Sequence, residues 1–443
     1  MLNESWTHWP RSAPELTRLP AWCRGGYSDP DHPMCYYMQG YDDICAPSWV
    51  IIGTLKSGST SMYSYLTKHP QVEVRGPMHD KANDESENKG ARGGGGGRKV
   101  KPVKFKEVGY FSRPVLKPRH KQYLSFFPRI SPTDGRCTGE GTVGYFAAPW
   151  APYNLRRLLP NAKLILLLRN PIDRSYSRIH HIFQLFMSRK TPEPRKPDDD
   201  SPPPPPPASP MYGFVKDKAA FIDAATSVVF DMVANATMTI VQDCLADAAH
   251  LSYFHLRECW MHKHGSAMGE VTSALIERVK KAQDREAGPE VERPITRAAV
   301  ADAIARGTPM LEAILPAINN AFNVKTLQHS VYYPQLTHWL KAFPRHQLLV
   351  LRSEAFYADT FATMDRVTAF LGLTPVDWSQ LISGVKFNVL RDDSGIITLV
   401  QEPAKASSYN VTASVRQRLA NFFRPYNAML AELVGDPAMA EWE

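Results

Sequence analysis

Short apolar runs alternate along the chain with longer stretches in which apolar residues recur at helical spacing. The runs Trp49–Ile52, Leu164–Leu168 and Leu348–Leu351 are too short for helices and are typical of strands buried on both faces. Helical spacing is found in Tyr332–Leu340 and Phe361–Leu371, among other segments. This alternation predicts an α/β protein with three layers, in which a central parallel sheet is flanked by helices.

A glycine-containing loop joins the first of these strands to a helical pattern. Such a loop, followed by a helix N-terminus, binds phosphate groups because the loop amides and the helix dipole face one anion. Lys56 adds a cation, Gly58 allows the backbone to approach a ligand, and the other candidates donate through amides or hydroxyls: Ser57, Ser59, Thr60 and Ser61. The fold is therefore expected to be P-loop-like, with an ordinary Ser/Gly turn as the alternative for this loop alone.

The order of residues in this loop disfavours a nucleoside triphosphatase or a P-loop kinase. Those enzymes place the lysine directly after the second glycine, whereas Lys56 precedes Gly58. A second candidate site begins where the next strand ends, at Arg169, and Ser177 follows eight residues later on a predicted helix. Both loops lie at the carboxyl ends of strands, where parallel sheets bind their ligands.

The charge of the chain favours an acidic ligand. Its 443 residues carry a formal net charge of +8, which suits nucleic acid, an anionic membrane, a nucleotide or a polyanionic glycan. No zinc-finger, RNA-recognition or basic-helix pattern is present, so a nucleic-acid partner is disfavoured. No CxxC spacing occurs either, and no metal site is expected.

Cysteines and sequons together favour the secretory lumen. The six cysteines are Cys23, Cys35, Cys45, Cys137, Cys244 and Cys259. The sequence also has three N-glycosylation sequons, which begin at Asn3, Asn235 and Asn410. No signal peptide or apolar span of about 20 residues is recognised, so we expect either that a membrane anchor lies outside this chain or that the protein is soluble. The spacing alone leaves the disulfide pairing open.

Composition divides the chain into one large domain with insertions. Residues 1–46 are rich in cysteine and aromatic residues without periodicity, which predicts an irregular segment. Residues 47–443 are expected to form the main domain. Within it, polar, proline-rich or charged insertions are predicted near 77–102, 190–210 and 263–307, the last as loosely attached helices.

The two phosphate-binding candidates together resemble the nucleotide signatures of sulfotransferases, which use 3′-phosphoadenosine 5′-phosphosulfate (PAPS). Lys56–Thr60 resembles the family's 5′-phosphosulfate loop, and Arg169 with Ser177 resembles its 3′-phosphate motif. Similar segments cover over half of the chain. The resemblance is strongest to the Golgi carbohydrate enzymes and above all to the chondroitin N-acetylgalactosamine 4-sulfate 6-O-sulfotransferase, which is related to the heparan sulfate enzymes. It implies a Golgi glycoprotein with a Cys244–Cys259 disulfide.

The same resemblance implies further site residues. Glu107 matches the family's catalytic base and precedes Tyr110 and Phe111, aromatic residues suited to stacking on a sugar. The chain departs from the heparan enzymes at Gly109, where a histidine is common, and at Gly141, where a lysine is usual. Lys405 alone keeps a charge in the family's late nucleotide-covering loop. These departures favour the chondroitin-type branch.

The expected reaction is an in-line sulfuryl transfer from PAPS to a glycan hydroxyl, with Lys56 and Glu107 as catalytic residues and no metal. The expected acceptor is a polysaccharide, glycosaminoglycan-like and anionic. Glu140 is an alternative base, and it could also bind sugar or pair with a cation. Two other functions stay open: an inactive glycan-binding protein on the same fold, and a sulfotransferase for a small molecule. Cytosolic enzymes of that last kind normally lack sequons and paired cysteines.

Overall fold

The structure of the chain, a computed structural model, describes residues 28–29, 32–38, 41–74, 106–113, 120–128, 130, 135–188, 217–246, 253–283, 296–382, 389–391, 397–399 and 409–443. It contains two compact units. The first is drawn from Met1–Arg169 and Gln335–Ala404, and the second from Asn170–Pro334 and Lys405–Glu443. The predicted insertions near 77–102 and 190–210 lie outside the described residues.

All strands among the described residues belong to the first unit. In chain order they are β1 Ser28–Asp29, β2 His32–Met38, β3 Tyr41–Ala46, β4 Trp49–Gly53, β5 Gly139–Glu140, β6 Lys163–Leu168, β7 Leu348–Arg352, β8 Val389–Arg391 and β9 Ile397–Leu399. Four of them form a sheet in the order β5-β4-β6-β7, and every neighbouring pair in it is parallel. The parallel sheet predicted from the apolar runs is therefore confirmed.

The helices occupy both units. They are α1 Ser59–Leu66, α2 His120–Leu124, α3 Ala151–Leu158, α4 Pro171–Met187, α5 Lys218–Ala246, α6 Tyr253–Gln283, α7 Arg297–Arg306, α8 Pro309–Asn323, α9 Thr326–Ser330, α10 Tyr332–Leu340, α11 Ser353–Ala358, α12 Thr360–Leu371, α13 Trp378–Ile382 and α14 Ala413–Val434. Short 3₁₀ turns span Tyr110–Ser112, Arg345–Gln347 and Pro437–Met439.

Helices cover both faces of the parallel sheet, as its uninterrupted apolar strands require. On one face, Ile51 and Ile165 join a buried cluster with apolar residues of α1, α11, α12 and α13. The opposite face includes Leu166, which lies near Phe146. The Trp339 indole on α10 donates a 3.1 Å hydrogen bond to the Phe146 carbonyl. The three-layer α/β architecture is thus confirmed.

The segment before β4 is more regular than the sequence suggests. Strands β1, β2 and β3 form a three-stranded antiparallel sheet, so the expectation of an irregular segment is wrong for these residues. Antiparallel strands are held by backbone hydrogen bonds between close neighbours in sequence, and these need no apolar periodicity. Tyr36 and Tyr41 are of a residue type that strands favour.

The second unit is helical, with a large apolar core. Residues from α4 to α9 and from α14 build this core, which includes Phe183 and Phe230. The predicted insertion near 263–307 contributes to it, because Leu275 on α6 and Ile304 on α7 are buried there. Those helices are therefore not loosely attached. A disulfide links Cys244 at the end of α5 to Cys259 on α6, with the two Cα atoms 5.8 Å apart, as the resemblance implied.

The sequence analysis recognised no long apolar span, but helix α5 is one. By length and composition it could cross a membrane, a test that buried core helices also pass. Asp223 and Asp231 interrupt its apolar residues, which is why the sequence did not mark it. Within the described part of the chain, 72% of its most apolar window is buried.

Candidate functional site

The loop after β4 is held in place by polar contacts with neighbouring elements. The Thr54 amide and hydroxyl both donate to the Leu167 carbonyl on β6, at 2.8 and 3.0 Å. The Ser57 hydroxyl bonds that of Thr54, and the Ser57 carbonyl accepts a 2.7 Å hydrogen bond from Ser353 at the start of α11. Ser57 is fully buried, so its hydroxyl serves the shape of the loop.

Two residues of this loop have left-handed backbone conformations. Lys56 has φ of 68° and Gly58 has φ of 88°. Glycine is needed at position 58 for a second reason, because a Cβ atom there would lie 2.8 Å from the Tyr357 hydroxyl. The chain thus turns sharply from β4 into α1 with its backbone close to α11, a conformation in which only glycine is free of strain.

Helix α1 starts at this loop without a side-chain cap, since Gly58 is its N-cap residue. The amides of Ser59, Thr60 and Ser61 have no acceptor within the helix, because the first helical hydrogen bond runs from the Met62 amide to the Gly58 carbonyl at 3.0 Å. The Ser59 and Ser61 side chains are buried, whereas Thr60 is exposed. The helix therefore presents amide donors and one exposed hydroxyl at the end of the loop.

Arg169 lies at the predicted position, at the carboxyl end of β6 beside the loop. One guanidinium nitrogen, Nη1, donates a 3.3 Å hydrogen bond to the Lys56 carbonyl. Arg169 of the second motif is therefore brought to the loop within the first unit, although 113 residues separate it from Lys56 in sequence. The reason is that β4 and β6 are parallel neighbours, so their carboxyl ends meet at one edge of the sheet.

Lys106 joins the loop, and the sequence analysis did not single it out. Its ammonium donates to the hydroxyl of Thr60 at 2.9 Å and to that of Ser59 at 3.4 Å. Burial lowers the pKa of Lys106, and the neighbouring Glu107 carboxylate partly opposes that shift. Lys106 could have been identified from the sequence, because it directly precedes Glu107, the expected base.

Glu107 lies beside Lys106, with a 3.4 Å contact between its carboxylate and the ammonium. Its side chain is 47% exposed, so it is accessible to an acceptor next to the loop. Three residues further along, a 3₁₀ turn at Tyr110–Ser112 follows Gly109, which has a left-handed backbone conformation. Phe111 is buried against other aromatic rings, so it cannot stack on a sugar in this conformation.

Glu140 is fully buried, which removes it as an accessible base or sugar ligand. Its carboxylate accepts hydrogen bonds from the hydroxyls of Tyr123 at 2.8 Å, Thr142 at 2.6 Å and Tyr145 at 3.0 Å. Burial raises its pKa to about 7, and the hydrogen bonds limit the rise. The sequence analysis offered a sugar or a cation as a partner of Glu140. In the structure, the groups that donate hydrogen bonds to the Glu140 carboxylate are neutral.

The remaining candidates lie elsewhere. Ser177 is buried on α4 in the second unit, so its predicted contact with the nucleotide stays a prediction. Lys405 lies outside the described residues. Cys137 is a buried free thiol, Cys23 lies outside the described residues, and the pairing of Cys35 and Cys45 stays open. No cluster of metal ligands is found among the residues that the structure describes.

Comparison with known proteins identifies relatives of part of this chain. The membrane-associated sulfotransferase kil1 of Dictyostelium discoideum is 32% identical over 34% of the chain. The bifunctional heparan sulfate N-deacetylase/N-sulfotransferase 1 of Caenorhabditis elegans is 31% identical over 31% of the chain, and the human type 3 enzyme of that name is 29% identical over 30%. The matches span only 26%, 13% and 13% of these three proteins. No family model matches the chain.

A solved sulfotransferase from Alicyclobacillus acidocaldarius is also similar, with 17% identity and a TM-score of 0.37 over 88% of this chain and 97% of that one.

Proposed function

Because the curated relatives of this chain are sulfotransferases, we propose that the protein transfers the sulfuryl group of PAPS to a polysaccharide. The observation that carries the proposal is one cluster of residues at the carboxyl edge of the sheet. There, Lys56 and Arg169 share a contact, and Lys106 joins the loop hydroxyls to the exposed Glu107. Several cations beside one exposed carboxylate suit a reaction between an anionic donor and an acceptor that must lose a proton.

The donors of the loop fit a phosphosulfate group. The first-turn amides of α1 and the exposed Thr60 hydroxyl can bind its oxygens, as helix N-termini bind phosphate. Lys56 and Lys106 supply positive charge where negative charge develops on the leaving phosphate. The planar guanidinium of Arg169 suits a 3′-phosphate, and Ser177 and Lys405 are proposed as further contacts.

The reaction is an in-line displacement at sulfur. An acceptor oxygen forms a bond to sulfur while the bond from sulfur to the phosphate oxygen of PAPS breaks. The proton of the acceptor passes to the Glu107 carboxylate, and 3′-phosphoadenosine 5′-phosphate leaves with the electron pair. Lys56 stabilises that leaving oxygen, and no step needs a metal.

The acceptor is proposed to be an anionic, glycosaminoglycan-like polysaccharide, because the net charge of the chain is +8 and two of the relatives are named for heparan sulfate. The resemblance seen in the sequence favours a hydroxyl of a chondroitin-type chain. The heparan relatives are named as N-sulfotransferases, which makes a nitrogen of a heparan-type chain the main competing acceptor. A small-molecule acceptor and an inactive glycan-binding protein are outcomes of the same assay.

We place the protein in the secretory pathway, in the Golgi lumen. The support is the bond between Cys244 and Cys259, since disulfides persist in oxidising compartments. The sequons favour the same location. Asn235 and Asn410 are both exposed, although Asn235 accepts a 2.7 Å hydrogen bond from Arg418 and belongs to a sequon whose Thr237 is buried.

The deciding experiment is a transfer assay with labelled PAPS over a panel of chondroitin, dermatan, heparan and N-desulfated heparan chains, with a phenol as the small-molecule acceptor. Glu107→Gln keeps the shape of the side chain but cannot take the proton. We expect turnover with the preferred polysaccharide to fall by at least about 100-fold while nucleotide affinity stays unchanged. Lys56→Ala should reduce both turnover and affinity.

Glu432→Gln is the matched control, because Glu432 is exposed on α14 and the substitution is the same. It should leave turnover and affinity unchanged. Near-normal turnover of Glu107→Gln would show that the base lies elsewhere. Nucleotide binding without transfer to any acceptor would favour the inactive glycan-binding protein, and no binding of PAPS or its product would overturn the proposal.

A further inference from the structure

Hydrogen bonds attach the segment that carries Glu107 to the segment 140–145 at four points. The Gly141 amide donates to the Lys106 carbonyl at 2.8 Å. The amide of Val108 donates directly to the Glu140 carboxylate. The amides of Gly109 and Phe111 donate to the side-chain hydroxyls of Thr142 and Tyr145, at 3.0 and 3.3 Å.

Three of these attachments converge on one carboxylate. The Thr142 hydroxyl that accepts from Gly109 donates its own proton to Glu140 at 2.6 Å. The Tyr145 hydroxyl that accepts from Phe111 likewise donates to Glu140, at 3.0 Å. The Glu140 carboxylate thus holds three backbone amides of the segment 108–111, that of Val108 directly and those of Gly109 and Phe111 through the two hydroxyls.

We infer that Glu140 is a positioning residue, whose buried carboxylate holds Glu107 and Lys106 against the phosphate-binding loop. This inference rests on the proposed function. Glu140 is fully buried, so it acts through the segment that carries Glu107 and does not touch the substrates itself. If the 106–111 segment were loose, Lys106 and Glu107 would keep their charged groups but would no longer be held at the correct positions beside the loop.

The ionised form of Glu140 is the one that fits its surroundings. A carboxylate has about four acceptor positions, and four groups donate to it: Val108, Tyr123, Thr142 and Tyr145. A protonated carboxyl has a donor of its own, which would face one of these donors and break a bond. Glutamine would present two such hydrogens.

The pH response follows from the groups around Glu140. Tyr63 on α1, Tyr123 on α2, and Thr142 and Tyr145 after β5 face it, and all are neutral near pH 7 because burial and the carboxylate raise the pKa values of the three tyrosines. The charged residues of the anchored segment are Lys106 and Glu107. With a pKa of about 7, Glu140 loses its proton as pH rises, so kcat should increase through this range.

The test measures kcat, nucleotide affinity and the pH profile of Glu140→Gln in the full chain. We expect kcat to fall about 10- to 100-fold, the scale of a small misplacement of a catalytic group, with nucleotide affinity unchanged. The rise of kcat with pH near pH 7 should disappear in Glu140→Gln. The residual activity of Glu107→Gln should still show this rise. A purely structural role would lower thermal stability and leave the kcat and the profile of the folded enzyme unchanged.

Thr142 supplies a matched pair that preserves the test if Glu140→Gln does not fold. Thr142→Val keeps the shape but removes the hydroxyl that links Gly109 to Glu140, and it should lower kcat about 10-fold. Thr142→Ser restores the hydroxyl and should restore most of kcat. Normal kcat in both Glu140→Gln and Thr142→Val would overturn the inference, even if Glu107→Gln behaves as proposed. No PAPS-dependent transfer by the unmodified protein would instead refute the proposed function.

Discussion

The two units bury charged side chains for different purposes. In the first unit, Glu140 accepts hydrogen bonds from Tyr123, Thr142 and the Val108 amide, and it anchors the segment that carries the exposed Glu107. In the second unit, the guanidinium of Arg174 on α4 bonds the Thr326 carbonyl at 2.6 Å and the Ser330 hydroxyl at 3.0 Å. That arginine ties two helices together inside an apolar core.

This difference separates the expected effects of mutation. Polar groups at the sheet edge in the first unit set the positions of side chains that can meet a ligand, so changing them should alter affinity or turnover. Apolar and covalent contacts in the second unit join long helices, so changing them should alter the free energy of unfolding. Three substitutions test this division.

Phe230→Ala should have the largest effect on stability. Phe230 is fully buried on α5 and its ring centroid lies 5.4 Å from that of Tyr176. Removing a buried phenylalanine ring typically costs about 3–5 kcal/mol, because apolar contact is lost and a cavity remains. Denaturant unfolding should show this loss while the folded variant binds nucleotide normally. Phe361→Ala, at a position 46% exposed, is the control and should change little; equal effects of the two would contradict the core assignment.

Removing the disulfide should have the next largest effect. Serine at both Cys244 and Cys259 should lower the free energy of unfolding by about 3 kcal/mol, because a closed loop of about 15 residues restricts the unfolded chain. The measurement is denaturant unfolding with and without reductant, and reductant should add nothing in the double variant. Mass spectrometry of unreduced peptides from protein made in a secretory host should show the pair. Two free thiols there would count against the secretory location.

Arg169→Ala should have the smallest effect, and on affinity alone. We expect calorimetry to show binding of 3′-phosphoadenosine 5′-phosphate weakened by at least about 1.5 kcal/mol, roughly tenfold, as a charged hydrogen bond is lost. Thermal stability should stay close to that of the unmodified protein. Arg366→Ala is the control, because Arg366 is exposed on α12. If the Arg169 variant bound the nucleotide as tightly as the unmodified protein, Arg169 would not be a nucleotide contact. The expected difference between the two units would then lose its support from affinity.

Local sequence patterns determined much of the first unit. The apolar runs were sufficient to predict β4, β6 and β7, because strands buried on both faces need nearly every residue to be apolar. Residue order around Gly58 was sufficient to predict a strand, loop and helix, since such a turn depends on neighbours in sequence. The proximity of Arg169 to the loop followed from the parallel sheet alone.

Only the tertiary structure decided the surroundings of the two glutamates. The sequence offered both Glu107 and Glu140 as candidate bases, yet Glu107 is exposed beside Lys106, whereas Glu140 is fully buried and accepts hydrogen bonds from three hydroxyl groups. Nor could the sequence place Lys106 against Thr60, because that contact joins segments 46 residues apart. Burial and hydrogen-bond partners depend on which distant segments pack together. That packing is a property of the whole fold, and no local pattern of residue types contains it.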